Sequence, residues 1–196
     1  DIILRDFNND AKTDAAVLNS GADNFSIMLN ATTTNASIPE FNKTDFSTDI
    51  GPSAIHAGDF NGDGKQDIVV AVYNISKVSV YMNTTSVGSG TPTFSSATDF
   101  TTGALPHNIT VVDFNGDGKP DICVANNTPT NTLSVFFNTT TPGASTPTFT
   151  AKTDFSTSAA PNSLIPADIN NDGKPDLIAA LAGDPGLAAV YLNTTT

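Results

Sequence analysis

The apolar residues of this chain form short runs and alternating stretches. Residues 67–72 and 122–125 are nearly continuous apolar segments, and residues 77–83 alternate between apolar and polar side chains. Both patterns are typical of strands, buried on two faces or on one. Residues 53–58 and 93–100 complete a set of four short strands, named A to D, and no stretch shows a convincing helical period. The pattern predicts an all-β protein.

The four-strand set recurs along the chain. Strand C returns at residues 25–30, 133–138 and 189–193, and strand D returns at 41–46 and 149–155. Four short antiparallel strands per repeat are the pattern of a propeller blade. We therefore expect one repeat domain, a β-propeller or propeller arc over 1–196, with blades at about 1–50, 51–103, 104–158 and 159–196. The three strands D each end in Thr-Asp-Phe, and their phenylalanines are predicted to pack between blades.

A nine-residue acidic motif, Asp-x-Asn-x-Asp-Gly-Lys-x-Asp, lies between strands A and B of each repeat. Its copies span residues 6–14, 59–67, 113–121 and 168–176, here called loops 1 to 4, and their first aspartates are 53, 54 and 55 residues apart. A constant interval of this length indicates one supersecondary unit per copy, with neighbouring units completing each other's core.

The spacing of the acidic side chains predicts one calcium ion per loop. Calcium takes six to eight hard oxygen ligands in a flexible shell. Positions 1, 3, 5 and 9 offer carboxylate or amide oxygens, and the lysine at position 7 would give its backbone carbonyl while its own charge points to water. The predicted ligands are Asp6, Asn8, Asp10, Lys12 and Asp14; Asp59, Asn61, Asp63, Lys65 and Asp67; Asp113, Asn115, Asp117, Lys119 and Asp121; Asp168, Asn170, Asp172, Lys174 and Asp176.

Two other interpretations of the motif are weaker. An EF-hand needs a glutamate at position 12 and flanking helices, whereas position 12 is Val17, Val70, Val124 or Ala179 and a strand follows. An ordinary hairpin turn does not need three aspartates and an asparagine at alternating positions four times over. Position 6 is glycine in loops 2 to 4, which suits a positive φ, and Ala11 in loop 1. Loop 1 is therefore predicted to be the weakest calcium site.

The composition of the chain limits the cellular compartments and the classes of partner that fit it. The formal net charge is −12, and the three aspartates of each loop account for twelve of the 20 acidic residues. Nucleic acid is an unlikely partner because no basic patch is present, and no apolar run is long enough to span a bilayer. Loops of this kind are typical of calcium-rich, extracellular surroundings, so we expect a secreted or cell-surface protein. The chain begins at Asp1, as a mature product or an excised segment would.

The cysteine, histidine and sequon asparagine residues give no indication of a catalytic site. Cys123 lies inside a strand pattern and is expected to be a small buried hydrophobe. Asparagine sequons end strand C of every repeat, at Asn30, Asn83, Asn138 and Asn193, and turn preference explains them as well as glycosylation does. His56 and His107 have no repeated nucleophile beside them. We expect no catalytic residues and no enzyme activity.

The motif Asp-Phe-Asn-Gly-Asp-Gly-Lys-Pro-Asp, followed by an apolar strand, resembles the FG-GAP/VCBS repeat family. That family builds the calcium-binding β-propellers of integrin α-subunits, fungal integrin-like lectins and many secreted bacterial proteins. The resemblance covers essentially the whole chain and implies a calcium loop between the first two strands of each blade. The Phe-Gly and Gly-Ala-Pro signatures of the integrin branch are not clearly present, and the strands are more similar to the bacterial branch.

The lengths of the repeats predict that the last blade lacks strand D, because only three residues follow Asn193. The chain could be a four-bladed ring with one short blade, a piece of a larger propeller, or an open arc that associates head to tail. Partners are expected to be other copies of the chain or adjacent blades, through edge strands or blade faces, with a glycan or cell-surface protein as a further ligand class. The leading hypothesis is a structural or adhesive calcium-binding module. A calcium-dependent lectin is the alternative.

Overall fold

Each acidic loop leads directly into the most buried strand of its repeat. Every residue of Asp67–Val72 and of Asp121–Asn126 is buried, which requires protein on both faces and both edges of these strands. The computed structural model describes residues 1–183 and 186–195. In that part of the chain, antiparallel strands form four separate sheets, each made from one continuous segment and paired in sequence order.

The four sheets are propeller-like blades, numbered here in chain order. Blade 1 contains β1 (Ile2–Arg5), β2 (Asp14–Asn19), β3 (Asn24–Asn30) and β4 (Phe41–Ser47); blade 2 contains β5 (Pro52–Gly58), β6 (Asp67–Val72), β7 (Lys77–Tyr81) and β8 (Thr98–Thr101); blade 3 contains β9 (Pro106–Val112), β10 (Asp121–Asn126), β11 (Thr132–Phe136) and β12 (Thr153–Ser156); blade 4 contains β13 (Pro161–Ala167), β14 (Asp176–Leu181) and β15 (Leu187–Tyr191). The prediction of an all-β fold built from antiparallel blades is confirmed.

Strand D differs from the prediction in blades 2 and 3. It was expected to run from residue 93 to 100 and from 149 to 155, but β8 and β12 begin at Thr98 and Thr153. Phe94 and Phe149 form only single bridges, to Asn83 and Asn138, because their rings turn toward the preceding blade. A single 3₁₀ turn, Tyr73–Ile75, also interrupts the β structure and carried no helical pattern in the sequence.

The hydrophobic cores lie between blades. One core joins Phe25 and Ile27 of blade 1 to Ile68 and Val70 of blade 2, and two further cores repeat this arrangement between blades 2 and 3 and between blades 3 and 4. In the described part of the chain, every extensive strand contact between sheets joins sequence neighbours, chiefly through their strands A. Each blade therefore depends on the next for burial of its apolar face.

The phenylalanines of the Thr-Asp-Phe ends behave in two ways. Phe46 stacks on Phe25 with ring centroids 5.1 Å apart and meets Phe94 of blade 2, and Phe100 meets Phe136 and Phe149 of blade 3. These two confirm the predicted packing between blades. Phe155 is 48% exposed, because the cavity beside it between blades 3 and 4 is not filled by a matching aromatic ring. Within the described residues, no helix has the length and apolar character of a membrane span.

Candidate metal centre

The acidic loops connect strands A and B of each blade, as predicted. Loop 2, for example, joins β5 to β6, and its last residue, Asp67, pairs with Gly58 at the end of the ladder. The loop must therefore return on itself within nine residues. Backbone N–H groups inside it have no strand partner and need acceptors from the loop's own side chains.

The position-1 aspartate closes the loop. In all four copies its Oδ2 accepts the backbone N–H of position 6, at 2.8 Å in loops 1 and 2, 2.7 Å in loop 3 and 2.9 Å in loop 4. The position-5 aspartate accepts the N–H of position 7 at 2.9–3.0 Å. These bonds gather the acidic side chains on the inner side of one turn without using all of their oxygen lone pairs.

The position-9 aspartate anchors the loop to the sheet. In loop 3, Asp121 is fully buried; its Oδ2 accepts the N–H of Phe114 at 2.9 Å, and its Oδ1 accepts the N–H of Asn138 at 2.8 Å. The other three loops repeat both bonds. The sequence identified this residue only as a metal ligand and missed its structural part. The strict return of aspartate just before every strand B was the signal.

Position 6 requires a left-handed backbone, as its glycines suggested. The φ angles are +83° at Gly64, +82° at Gly118 and +84° at Gly173, and Ala11 is held at +64°. Position 4 is also left-handed, at Asn9, Gly62, Gly116 and Asn171, which the sequence analysis did not foresee. Asparagine and glycine are the residues that tolerate this conformation best.

Replacing Ala11 by glycine is expected to stabilise loop 1. An L-residue with a Cβ in the left-handed region costs about 1 kcal/mol, and glycine removes that cost. No heavy atom lies within 4 Å of where a Cβ would stand on Gly64, so Gly64→Ala is a matched reversal in loop 2 that introduces backbone strain without a clash. Ala11→Gly should raise the melting temperature and Gly64→Ala should lower it by a similar amount. Equal and unchanged melting temperatures would contradict the role assigned to position 6.

The position-3 asparagine links loops 1 and 2 to the following blade. The side-chain Nδ2 of Asn61 donates to the backbone carbonyl of Ala144 at 2.9 Å. The backbone carbonyl of Asn61 accepts the N–H of Gly143 at 2.7 Å. Asn8 makes the same pair of bonds with Ser89 and Gly88, at 3.0 and 2.7 Å. Both asparagines are buried, whereas Asn115 and Asn170 in loops 3 and 4 are exposed. The loops thus form part of the contact between blades.

Three of the four position-7 lysines bond to a backbone carbonyl of a neighbouring turn, which the sequence analysis did not predict. The Lys119 ammonium donates to the carbonyl of Thr140 at 3.0 Å, Lys12 donates to Thr32 at 3.4 Å, and Lys174 donates to Thr195. Each of these threonines lies two residues after the sequon asparagine of its blade. The cause is reach: a four-carbon side chain at position 7 extends far enough to place its charge on the carbonyl groups of the neighbouring turn.

The loops carry a donor set whose chemistry fits calcium. Each copy brings three carboxylates and one amide to a single turn, all hard oxygen donors. In loop 1 the Oδ1 atom of Asn8 is buried and has no hydrogen-bond partner, so an oxygen at the predicted ligand position 3 is left free for a cation. Among the described residues, no three His, Cys, Asp or Glu side chains converge into a ready-made cage. The ligand assignments therefore remain predictions.

The electrostatics of loops 2 and 3 favour a bound cation. The pKa of Asp67 is raised to about 7, chiefly by burial and to a smaller extent by the negative charges of Asp63 and Asp59, while the backbone N–H groups of Asn83 and Phe60 oppose the rise. Asp121 follows the same pattern, with a pKa of about 6. A divalent ion would offset both burial and repulsion for these carboxylates.

The sequon asparagines of blades 2 to 4 join neighbouring blades. Asn138 is buried and donates its Nδ2 to the carbonyl of Phe60 in blade 2 at 2.9 Å; Asn83 donates to Phe7 at 2.9 Å, and Asn193 donates to Phe114 at 2.7 Å. Asn30 in blade 1 bonds within its own blade, to Thr13. Asn83 and Asn138 are buried, so their amides have no room for a glycan, and the recurrence of asparagine has a structural cause at these two positions.

Replacing Asn138 by alanine should weaken the contact between blades 2 and 3. The change removes the bond to Phe60 and the bond that Oδ1 accepts from the N–H of Thr140 at 2.8 Å, leaving buried groups unpaired at a cost of about 1–3 kcal/mol. Asn30→Ala is the matched control, because it deletes the same side chain without touching a neighbouring blade. Equal losses in urea unfolding for the two variants would show that the bond between blades contributes nothing.

The tyrosine, cysteine and histidine residues that the sequence offered as candidates for ligand binding or catalysis make contacts within the protein. Tyr81 is buried with its ring 5.1 Å from that of Phe25, so it offers no face to a sugar. Cys123 is fully buried, and burial raises the pKa of its thiol to about 12, which agrees with the expectation of a small core residue. His56 and His107 contact backbone carbonyls through their Nδ1 atoms, of Ala57 and Asn162 respectively.

The repeated blades, each with an acidic loop between strands A and B, define an all-β repeat protein of the propeller class. The profile of the FG-GAP-like repeat matches residues 6–70, 59–124 and 113–179. The chain therefore belongs to the FG-GAP-like repeat family, as the motif predicted. Repeats of this family typically bind Ca²⁺. No curated protein sequence matches the chain.

A solved structure shows the same architecture at low sequence identity. A chain from the crystal structure of BBS1N in complex with ARL6DN, soaked with lead, matches with a TM-score of 0.59 at 11% identity. The match covers 96% of this chain and 52% of the other, so the present chain spans about half the length of that propeller structure. At this identity the likeness concerns the fold alone.

Proposed function

We propose that this chain is an extracellular, calcium-binding structural or adhesive module that works through association of its blades with further blades. The observation that carries the proposal is the position of the acidic loops. In loops 1 and 2 the position-3 asparagine is a predicted calcium ligand, and its side chain also donates a hydrogen bond to the following blade. A bound ion that fixes this asparagine would also fix the neighbouring blade.

Each calcium ion would be held by the side chains of positions 1, 3, 5 and 9 and by the carbonyl of position 7. Up to four ions would bind, with the loop spanning residues 6 to 14 the weakest because of the strain at Ala11. Calcium supplies positive charge that neutralises the gathered carboxylates. The two positive charges of each ion would offset eight of the twelve net negative charges when all four loops are filled. Calcium concentrations that fill loops of this kind are found outside cells.

The outer faces of the first and last blades support association. Ile2 and Leu4 on β1 are 60% and 57% exposed, and Ile165 and Val190 in blade 4 are similarly exposed. Apolar side chains on an open blade face are a common feature of interaction surfaces. Because the two faces differ, contact between them is heterologous and would extend into a larger propeller or a filament.

The test combines calcium titration with measurement of mass. Isothermal titration calorimetry should give up to four sites, and light scattering should give a mass that is larger in calcium than after chelation. Magnesium at equal concentration is the ion control, and Asp63→Ala with Asp117→Ala, which removes one ligand from each of loops 2 and 3, should reduce the stoichiometry by about two. A particle of constant mass would remove self-association from the proposal, and absence of calcium heat would remove the metal.

A further inference from the structure

An apolar cavity of about 290 Å³ opens between blades 3 and 4. Its walls include Phe114, Leu133, Phe155, Leu177 and Tyr191, and its rim includes residues 192–195. None of these walls belongs to the acidic loops except Phe114, whose side chain points away from the predicted ligands into the core between blades 3 and 4. The cavity is therefore a feature of blade packing, separate from the metal centre.

The two earlier junctions between blades show what fills this place. Between blades 1 and 2, the ring of Phe94 lies 5.1 Å from Phe46 and 6.0 Å from Phe25. Between blades 2 and 3, the ring of Phe149 lies 5.0 Å from Phe100 and 5.6 Å from Phe60. In both cases a phenylalanine from the segment just before strand D reaches back to the preceding blade.

The walls of the cavity are the counterparts of the residues around Phe94 and Phe149. Phe155 ends a Thr-Asp-Phe strand as Phe46 and Phe100 do, and Leu133 holds the place of Phe25 in strand C. Phe94 and Phe149 each lie eleven residues after the sequon asparagine of their blade, Asn83 or Asn138. Within the described residues no phenylalanine holds the equivalent place in blade 4, so the cavity has the walls of this ring site without the ring.

The backbone beside the cavity also matches. The N–H of Thr84 donates to Thr93 and the N–H of Ser95 donates to Met82, at 2.9 and 2.8 Å, and blade 3 repeats both bonds. The counterpart groups in blade 4 are the N–H of Thr194 and the carbonyl of Leu192. Leu192 is 54% exposed where Met82 is 2% exposed, because no segment in the described part of the chain covers the blade 4 edge.

A threonine hydroxyl completes the match. Thr140 Oγ1 accepts the N–H of Thr148 at 3.0 Å and donates to the backbone carbonyl of Thr148 at 3.2 Å. The hydroxyl of Thr85 makes the same two bonds with Thr93. Its counterpart in blade 4, Thr195, instead contacts the Phe114 carbonyl and Asn193. The hydroxyl that would recognise an incoming threonine is thus present beside the cavity.

We propose that the cavity and residues 192–195 form a docking site for an extended peptide segment of the type Thr-Pro-Thr-Phe from outside residues 1–196. The segment places its phenylalanine ring against Phe155 and Tyr191 and pairs its backbone with the edge of blade 4. A second copy of this chain is a poorer source. Its own Thr-Pro-Thr-Phe segments, residues 91–94 and 146–149, already fill its own junctions, and the backbone of Phe41 is paired with Asn30.

The site is tested with a synthetic peptide of residues 146–157 added to the chain in saturating calcium, followed by fluorescence anisotropy. We expect saturable binding with one peptide per chain. Replacing the peptide residue that corresponds to Phe149 by alanine should weaken binding by at least about tenfold, as loss of a buried aromatic anchor does. Absence of saturable binding, or equal binding by the alanine peptide, would overturn the proposal.

Matched protein variants separate the cavity from the rest of the surface. Phe155→Ala removes a wall of the cavity and should weaken peptide binding by about tenfold, whereas Phe41→Ala, at a phenylalanine 40% exposed on blade 1, should leave it unchanged. The reverse pattern, or dimers that the peptide does not compete away, would assign the cavity to another occupant. The acidic loops are intact in both variants, so calcium titration reports separately on the proposed metal function.

Discussion

Chelation of calcium is expected to lower the melting temperature of this chain more than any single substitution. An ion that binds only the folded state stabilises it by RT ln(1 + [Ca]/Kd), about 2.7 kcal/mol per site at a hundredfold excess. Several sites together reach the order of 10 kcal/mol, which is comparable with the whole free energy of unfolding of an ordinary domain. The acidic loops border every junction between blades, so their loss affects the entire repeat array.

The measurement is scanning calorimetry in calcium and in a chelator, with magnesium as the ion control. For a chain of this length each kcal/mol corresponds to about 2–4 °C, so one filled site is worth roughly 5–10 °C. The expected order of events is loss of loop 1 first, because of the strain at Ala11. A melting temperature that is the same in calcium and in chelator would refute a stabilising role for the metal.

The second large effect is expected from Asp121→Ala, in chelator as well as in calcium. The side chain accepts the N–H groups of Phe114 and Asn138, and it is fully buried. Without it both donors lose their acceptor inside the protein, at roughly 2–5 kcal/mol in total. Asp121→Asn keeps one acceptor oxygen and should cost about half as much. Urea unfolding of the three proteins gives these differences directly.

Asp117→Ala is the control that separates structure from metal. Asp117 lies in the same loop but is exposed, and both bonds that it accepts, from the N–H of Lys119 and the side-chain amide of Asn115, are exposed as well. It should lose stability relative to the parent chain in calcium and almost none in chelator, where Asp121→Ala remains destabilised. If the cost of Asp121→Ala disappears in chelator, the residue acts through the metal alone and the anchoring role is wrong.

Local sequence patterns predicted most of the fold. Strand B of blade 2 begins at the last loop residue, Asp67, and ends with the apolar run at Val72, because a strand buried on both faces needs apolar residues at every position after the loop. The positive φ at position 6 was also predictable, since few residues other than glycine accept it. The FG-GAP-like family assignment followed from the same motif.

Contacts between blades were harder to predict. The sequence shows that asparagine recurs after strand C, but not that Asn138 reaches the carbonyl of Phe60 from a different blade. Likewise, Phe94 has the pattern of a strand residue, and only the packing of its ring on blade 1 explains why β8 starts four residues later. Such preferences come from tertiary packing, which a local pattern cannot encode.

Each sheet is formed by one stretch of chain, and among the described residues no strand is exchanged between blades. Gene duplication or deletion of a whole repeat would therefore leave every remaining sheet intact and alter only one junction. The sequence intervals of 53, 54 and 55 residues between loops match that freedom. Array length can then vary in evolution, while each unit keeps its own register.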